Sequence, residues 1–141
     1  MRRIGITGGI GSGKSVVSRL LRIMGYSVYD TDSEAKRLME SSLEVVQKLS
    51  ECFGRDIYHN GRLNRGLLSS RVFGKSDKIV LLNSIVHPVV RFDFYRWSES
   101  LNEEICFVES AILYESRFDE LVDEVWTVTA PEELRISRVR Q

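Results

Sequence analysis

The chain contains 141 residues, of which 43% are hydrophobic and 28% charged, a composition typical of one globular domain. Lysine and arginine together number 20, as do aspartate and glutamate, so no global field favours nucleic acid or an anionic membrane. We therefore predict no nucleic-acid or membrane partner, and any anion must be bound by a local group of residues.

The cysteines and the N-terminal segment bear on the compartment. Cys52 and Cys106 lack metal-ligand spacing, so we expect two free thiols in a reducing environment. The Arg2-Arg3 pair precedes a hydrophobic run too short for a signal-peptide core or a membrane span. These features predict a cytoplasmic protein, which we expect to be a monomer or a weak homo-oligomer.

The first elements form a strand–helix–strand unit. A buried strand is predicted over residues 3–7, an amphipathic helix over 14–24 and a second strand over 26–29. Gly25 follows the helix where a left-handed cap is expected. Because crossover connections are right-handed, the two strands should be parallel.

A helical segment follows, from residue 33 to about residue 104. Its apolar positions predict helices near residues 35–39, 43–53, 64–72, 76–85 and 88–101. Asn60-Gly61 predicts a turn, and Asn64 and Ser76 predict helix caps. Pro88 predicts a break at which the helix restarts. We expect its aromatic residues, including Phe92, Phe94 and Trp97, to belong to the core.

The last third returns to strands. We predict strands over residues 105–109 and 125–129, then a helix opened by Pro131 that carries Arg135 and Arg138. This order predicts a parallel α/β sheet flanked by helices, a single domain over 1–141 with a helical insert at about 33–104.

The strongest motif lies between the first strand and the first helix. Gly8-Gly-Ile-Gly-Ser-Gly-Lys-Ser15 is a complete Walker A loop in the strand-to-helix context that the motif requires. Its glycines allow backbone N–H groups to turn toward a phosphate chain, at the positive end of the following helix. Lys14 is predicted to contact the β and γ phosphates of ATP, and the Ser15 hydroxyl to ligate Mg²⁺.

Asp30-Thr31-Asp32 lies where the second strand ends. Parallel strands bring their carboxyl ends to one edge, so this segment should lie beside the Walker loop. A carboxylate there can orient an attacking hydroxyl and accept its proton. We favour Asp32, since Asp30 is closer to the buried strand. The alternative is that Asp32 simply caps the helix beginning at Ser33.

Two further positions remain ambiguous from the residues alone. Glu109 ends the third strand at the same edge, where an acidic residue can hold Mg²⁺ through water; the alternative is a surface acid. His87, with Arg91 a turn later, places an imidazole and a guanidinium where an anionic acceptor could bind. The alternative is that His87 has no functional role and simply precedes a helix break at Pro88.

Residues 1–141 resemble the dephospho-CoA kinase family. The resemblance is carried by the Walker loop from Thr7 to Ser15, the Asp-x-Asp at 30–32 and the His-Pro-x-x-Arg segment at 87–91. Residues 108–115 resemble the family's strand and Pro-Leu-Leu-x-Glu turn, and residues 129–138 its Pro-Glu-x-x-x-x-x-Arg helix. The His-Pro segment separates this family from other small-molecule kinases.

The resemblance implies a P-loop NTPase-type fold with a helical acceptor-binding insert, and transfer of the γ-phosphoryl group of ATP to the ribose 3′-hydroxyl of dephospho-CoA. It places the nucleotide on Gly8, Gly9, Gly11, Ser12, Gly13, Lys14, Ser15 and Val16. It assigns catalysis to Lys14 and Asp32, with Thr7, Asp32, His87 and Arg91 on the acceptor side.

The sequence differs from the family pattern at two points, and several alternative functions remain open. Ala111 stands where the family usually has proline, and the family continues beyond residue 141 into an arginine-bearing lid, so we expect a C-terminally incomplete chain. The rivals are a shikimate-kinase-like enzyme, a nucleotide-dependent switch, and a nucleotide-binding module without catalysis. A GTP switch should carry an Asn/Thr-Lys-x-Asp motif, which this sequence lacks.

Overall fold

The computed structural model describes residues 1–9 and 11–129. The chain divides into two compact units. We call the first the sheet unit; it contains Met1–Asp32 and the chain from Asp93 onward. The second, the helical unit, contains Ser33–Phe92.

The sheet unit is built around four parallel strands. In chain order its elements are β1 (Arg2–Thr7), helix α1 (Lys14–Ile23), β2 (Ser27–Asp30), the start of α2 (Thr31–Ser41), the end of α5 (Ser76–Ser100), β5 (Ile105–Glu109), a 3₁₀ turn (Phe118–Leu121) and β6 (Glu124–Thr127). The strand order is β2-β5-β1-β6. This confirms the predicted parallel α/β sheet, and its carboxyl ends lie along one edge.

The register shows which residues meet at that edge. Strand β5 lies between the two N-terminal strands, so that Glu109 is opposite Ile6 on one side and Asp30 on the other. Strand β6 pairs with the other edge of β1, where Thr7 is opposite Thr127. The end of each N-terminal strand is therefore adjacent to a neighbouring strand end.

Alternating apolar residues hold helix α1 on the sheet. Ile4, Ile6, Leu21 and Phe107 form a buried cluster, with partly buried neighbours packed against it. Gly25 adopts the left-handed conformation predicted for a helix cap, with φ of 96°. Helix α1 and the sheet thus fix both ends of the loop that joins them.

The helical unit contains the rest of α2, then α3 (Leu43–Phe53), a 3₁₀ turn (Arg55–Ile57), a hairpin of β3 (Tyr58–His59) and β4 (Arg62–Leu63), α4 (Arg65–Val72) and the first part of α5. Val45, Leu49 and Ile57 are fully buried in its core. The Asn64 side chain accepts a hydrogen bond from the Leu67 amide, which confirms the predicted cap.

Two predictions in this region need correction, and one structural element was missed. Pro88 does not restart a helix: α5 is continuous from Ser76 to Ser100. Proline removes one helical hydrogen bond, but Ile85 and Val90 on either side of it are buried, so a break would expose apolar surface. The residues around the predicted turn at Asn60-Gly61 form a two-stranded hairpin that the sequence analysis missed.

The second correction concerns the aromatic residues of α5. Phe94 is fully buried and forms part of an aromatic group with Tyr29 and Trp97, as expected. Phe92 instead has 62% of its surface exposed and is not a core residue. On a helix, residues two positions apart point to different sides, so the burial of Phe94 does not extend to Phe92.

The two cysteines are free, as predicted. Cys52 is exposed, whereas Cys106 is buried in β5, and burial raises the pKa of its thiol to about 11. Among the described residues, no helix combines the length and the apolar character needed to cross a membrane.

Candidate active site

The loop between β1 and α1 depends on glycine at particular positions. Gly13 has φ of 99°, a left-handed conformation that side chains disfavour, and it precedes the first residue of α1. A β-carbon at Gly8 would lie 2.5 Å from the Ser12 Oγ and 2.6 Å from the Val128 carbonyl oxygen. The chain can follow this tight path only without side chains at these positions.

At the N-terminus of α1, the first backbone amides can donate to an anion, since within residues 1–9 and 11–129 those of Lys14 and Ser15 have no backbone partner. Gly13 provides no side-chain cap, and the first turn contains no acidic residue. The first amides bonded back to the Gly13 carbonyl are those of Val16 and Val17, so the amides of Lys14 and Ser15 lie ahead of the helical ladder. Such a helix end attracts negative charge.

A cavity lies directly at this helix end. It has a volume of about 210 Å³ and is lined by Gly11, Ser12, Gly13, Lys14, Ser15 and Val16. Lys14 is partly exposed there, while the Ser12 hydroxyl is buried and has no hydrogen-bond partner among the described residues. The structure thus brings together the predicted loop residues, with Gly8 and Gly9 at the start of the loop.

Glu109 is a buried acid rather than a surface acid. Only 7% of its surface is exposed, and its Oε1 accepts a hydrogen bond of 3.4 Å from the Ser15 hydroxyl. The alternative that Glu109 is a surface acid is therefore wrong. Its burial follows from the sheet order, since β5 lies between β1 and β2.

Ser15 and Glu109 together offer oxygen atoms of the type that Mg²⁺ prefers. Mg²⁺ is usually bound by one or two protein oxygens, with water and substrate phosphates completing its octahedron. No group of three or more histidine, cysteine, aspartate or glutamate side chains within residues 1–9 and 11–129 could hold a metal. A hydroxyl and one carboxylate near the cavity at the start of α1 fit a cation that would also contact bound phosphates.

The two aspartates after β2 have different surroundings. Asp30 ends the strand, and its Oδ1 accepts a hydrogen bond of 3.1 Å from the Asp32 amide. Helix α2 begins at Thr31, so Asp32 is its second residue. The capping alternative for Asp32 is therefore wrong, because Asp30 accepts the bond, and the Asp32 side chain is exposed.

The remaining predicted residues have other positions. Thr7 ends β1, is buried, and its carbonyl oxygen accepts a 2.7 Å bond from the Val128 amide. His87 and Arg91 lie one turn apart on α5 in the helical unit. Burial, and then the charge of Arg91, lower the pKa of His87 below its ordinary value. Arg135 and Arg138 lie outside the described residues.

Thr31 lies between the two aspartates, and its own contact with β5 was not predicted from the sequence. It is buried, and its hydroxyl donates a hydrogen bond of 2.8 Å to the Glu109 carbonyl oxygen. The available signal was a β-branched hydroxyl residue at a strand end, a position where its side chain can replace a ladder bond.

The parallel sheet and the glycine loop that leads from β1 into α1 define a P-loop NTPase-type α/β protein. Comparison with known proteins narrows the class. The family described as dephospho-CoA kinase (CoaE) matches residues 2–141. A dephospho-CoA kinase of Porphyromonas gingivalis is 48% identical over 138 residues, which is 98% of this chain and 68% of that protein.

Further relatives agree. A dephospho-CoA kinase of Corynebacterium diphtheriae is 41% identical over 99% of this chain and 72% of its own length. A crystal structure of a Thermus thermophilus protein has a TM-score of 0.83 at 36% identity, over 98% of this chain and 70% of that chain. A dephospho-CoA kinase from Campylobacter jejuni has a TM-score of 0.64 at 16% identity, over 99% and 94%, a likeness of fold alone. The chain belongs to the dephospho-CoA kinase family.

Proposed function

We propose that the protein transfers the γ-phosphoryl group of ATP to the ribose 3′-hydroxyl of dephospho-CoA, which yields coenzyme A and ADP in the last step of coenzyme A biosynthesis. The observation that carries the proposal is a Walker loop with open helix-end amides and a Ser15–Glu109 contact, in a chain of this family. The reaction would take place in the cytoplasm.

The phosphate chain of ATP would lie in the cavity at the N-terminus of α1. The amides of Lys14 and Ser15, which lie ahead of the helical ladder, would donate to its oxygens, and the Lys14 ammonium would contact the β and γ phosphates. The Ser12 hydroxyl, which has no partner among the described residues, is a further donor at this position. The backbone of this loop is held at its ends by β1 and α1, so its amides would stabilise developing charge with little reorganisation.

Ser15 and Glu109 would hold Mg²⁺, which when bound supplies positive charge to the β and γ phosphates. The two side chains are already in contact, so the oxygens need not be gathered from separate positions. Glu109 would act either directly or through a bound water.

Asp32 would orient the acceptor hydroxyl and accept its proton as the new O–P bond forms and the bond to ADP breaks. Because the transition state is loose, a carboxylate of ordinary basicity suffices. The exposed position of Asp32 at the start of α2 supports this role, since the acceptor must reach it from solvent. His87 and Arg91, with Thr7, would contribute to the acceptor side.

An ADP-release assay with a panel of acceptors tests the proposal. We expect ADP release to depend on dephospho-CoA, with little release in the presence of shikimate, adenosine or no acceptor. Mass spectrometry of the product should show one added phosphoryl group at the ribose 3′ position.

Two outcomes would contradict the proposal. Release driven by shikimate or another alcohol would assign a different small-molecule kinase. ATP binding without acceptor-dependent release, in a full-length protein that is folded, would assign a nucleotide-binding module instead.

A further inference from the structure

Thr31 makes a buried link between two strand ends of the sheet unit. Its residue is 8% exposed, and its Oγ1 donates a 2.8 Å hydrogen bond to the backbone carbonyl oxygen of Glu109. The last residue pair between β2 and β5 is Asp30 with Glu109. The Thr31 hydroxyl therefore extends the connection between these strands one residue beyond the backbone ladder.

Glu109 is held on several sides at this point. Its carboxylate accepts a bond from the Ser15 hydroxyl, and the next residue, Ser110, donates its amide to the Ile6 carbonyl oxygen. The backbone of Glu109 is thus fixed to β1, and its side chain to α1. A residue that is bonded to the Glu109 carbonyl oxygen is therefore held in place relative to both β1 and α1.

Asp32 follows Thr31 directly. Its amide is bonded to Asp30 Oδ1, and its own side chain is exposed. The first turn of α2 is therefore attached at two points: the Asp30 carboxylate holds the Asp32 amide, and the Thr31 hydroxyl holds the end of β5. Both attachments lie within three residues, so they restrict the place from which the Asp32 carboxylate can act.

We propose that Thr31 is a positioning residue for phosphoryl transfer, which acts by fixing Asp32 relative to the Ser15–Glu109 pair. This inference rests on the proposed function, in which Asp32 meets the acceptor hydroxyl and Ser15 and Glu109 lie on the phosphate side. Transfer requires the hydroxyl and the γ-phosphoryl group in line and close together, and small displacements reduce the rate strongly. In this proposal Thr31, which is 8% exposed, acts through Asp32 and not by contact with a substrate.

The test compares Thr31→Val with Thr31→Ser in the full-length protein. Valine matches the shape of threonine but cannot donate to the Glu109 carbonyl, whereas serine retains the hydroxyl. We expect Thr31→Val to lower kcat on the order of tenfold to a hundredfold. The KM for ATP should change less than about twofold, since the nucleotide loop is untouched, and Thr31→Ser should remain close to wild type.

Ser98→Ala is a matched control. Like Thr31, Ser98 is buried in the sheet unit and donates to a backbone carbonyl, that of Tyr95, but it contacts Arg3 at the other end of β1. Loss of this hydroxyl should lower thermal stability and leave kcat unchanged. A Thr31→Val protein with the stability of Ser98→Ala but a much lower kcat would separate positioning from general destabilisation.

A double variant supplies the decisive comparison. Because Thr31 acts through Asp32, Thr31→Val should reduce kcat by less than about twofold when Asp32 is already asparagine. Wild-type kcat in Thr31→Val, or the same fold loss in both backgrounds, would overturn the proposal. If Thr31→Val fails to fold, Thr31→Ala against Thr31→Ser decides by the same criteria.

The acceptor assay keeps this inference separate from the proposed function. If the wild-type protein phosphorylates another alcohol, the proposed acceptor is wrong, and the Thr31 series is measured with that alcohol. If dephospho-CoA is the acceptor and Thr31→Val is fully active, only the positioning role fails.

Discussion

Lys14 combines a fixed backbone position with a charge that the fold does not need. It is the first residue of α1, lines the cavity at this helix end and is only partly buried. We expect Lys14→Ala to lower the transfer rate on the order of a thousandfold or more, since in the proposed mechanism the ammonium stabilises charge in the transition state. The melting temperature should change little. Arg19→Ala, which removes an exposed cation from the same helix, is the control, and unchanged turnover in Lys14→Ala would contradict the nucleotide assignment.

Asp32 is expected to affect the chemical step more than nucleotide binding. Asp32→Asn keeps the size of the side chain but removes its capacity to accept a proton, so kcat should fall strongly while the KM for ATP changes little. Steady-state kinetics with each substrate varied in turn checks this. Asp77→Asn, which also replaces an exposed aspartate in a first helical turn, should behave as wild type. An equal effect of the two substitutions would contradict the assignment of Asp32.

Helix α5 makes the stability of the protein depend on pH through His87. Burial and the charge of Arg91 lower the pKa of His87 from its ordinary 6.5, so the unfolded chain binds a proton more readily than the folded one. Stability should be fully present above that value and decrease as the pH falls through it. Melting temperatures between about pH 8 and about pH 5 measure the effect.

The second histidine provides the comparison for this pH dependence. His87→Asn should flatten the decrease in melting temperature, whereas His59→Asn at the exposed end of β3 should retain it. An identical pH profile for wild type and His87→Asn would show that other groups cause the decrease.

Arg71 fastens α4 to the end of α3. Its guanidinium donates two hydrogen bonds to the Asp56 carboxylate, at 2.7 and 2.6 Å, and also bonds to the Phe53 carbonyl oxygen at the end of α3. Gly54 follows with φ of 105°, and a β-carbon there would lie 2.5 Å from Arg71 Nη1. We expect Arg71→Ala to lower the melting temperature, because a helix-end carbonyl loses its partner. Arg62→Ala, an exposed arginine of the same unit, should change it much less.

Acid should reduce the stability that the hydrogen bonds between Arg71 and Asp56 provide. The hydrogen bonds from Arg71 lower the pKa of Asp56 below its ordinary 3.8. Its contribution is therefore present above that pH and lost as the pH falls through the lowered folded pKa. The difference in melting temperature between wild type and Arg71→Ala should decrease in strong acid. A difference that is independent of pH would show that the ion pair between Arg71 and Asp56 does not contribute to stability.

Across the molecule, features that depend on residues close in sequence were predicted better than features that depend on strand order. The Walker loop, the cap at Asn64 and the turn at Asn60-Gly61 follow from residues close in sequence, and the structure places them as predicted. The burial of Glu109 could not be predicted from nearby residues, because it depends on β5 lying between β1 and β2, which are far from it in sequence. Pro88 illustrates the opposite case, in which a strong local signal is overridden by packing on both sides of it.

The strand order also determines when this protein can fold as it is synthesised. Strands β1 and β2 leave the ribosome early, but neither pairs with the other, because β5 occupies the place between them. Until residues 105–109 emerge, the nascent chain carries its glycine loop on a strand with no neighbour, and closing such distant pairs is slow. The helices of Ser33–Phe92 rely on contacts nearer in sequence and can form meanwhile. We therefore expect the site to form late in synthesis, when β5 inserts between β1 and β2.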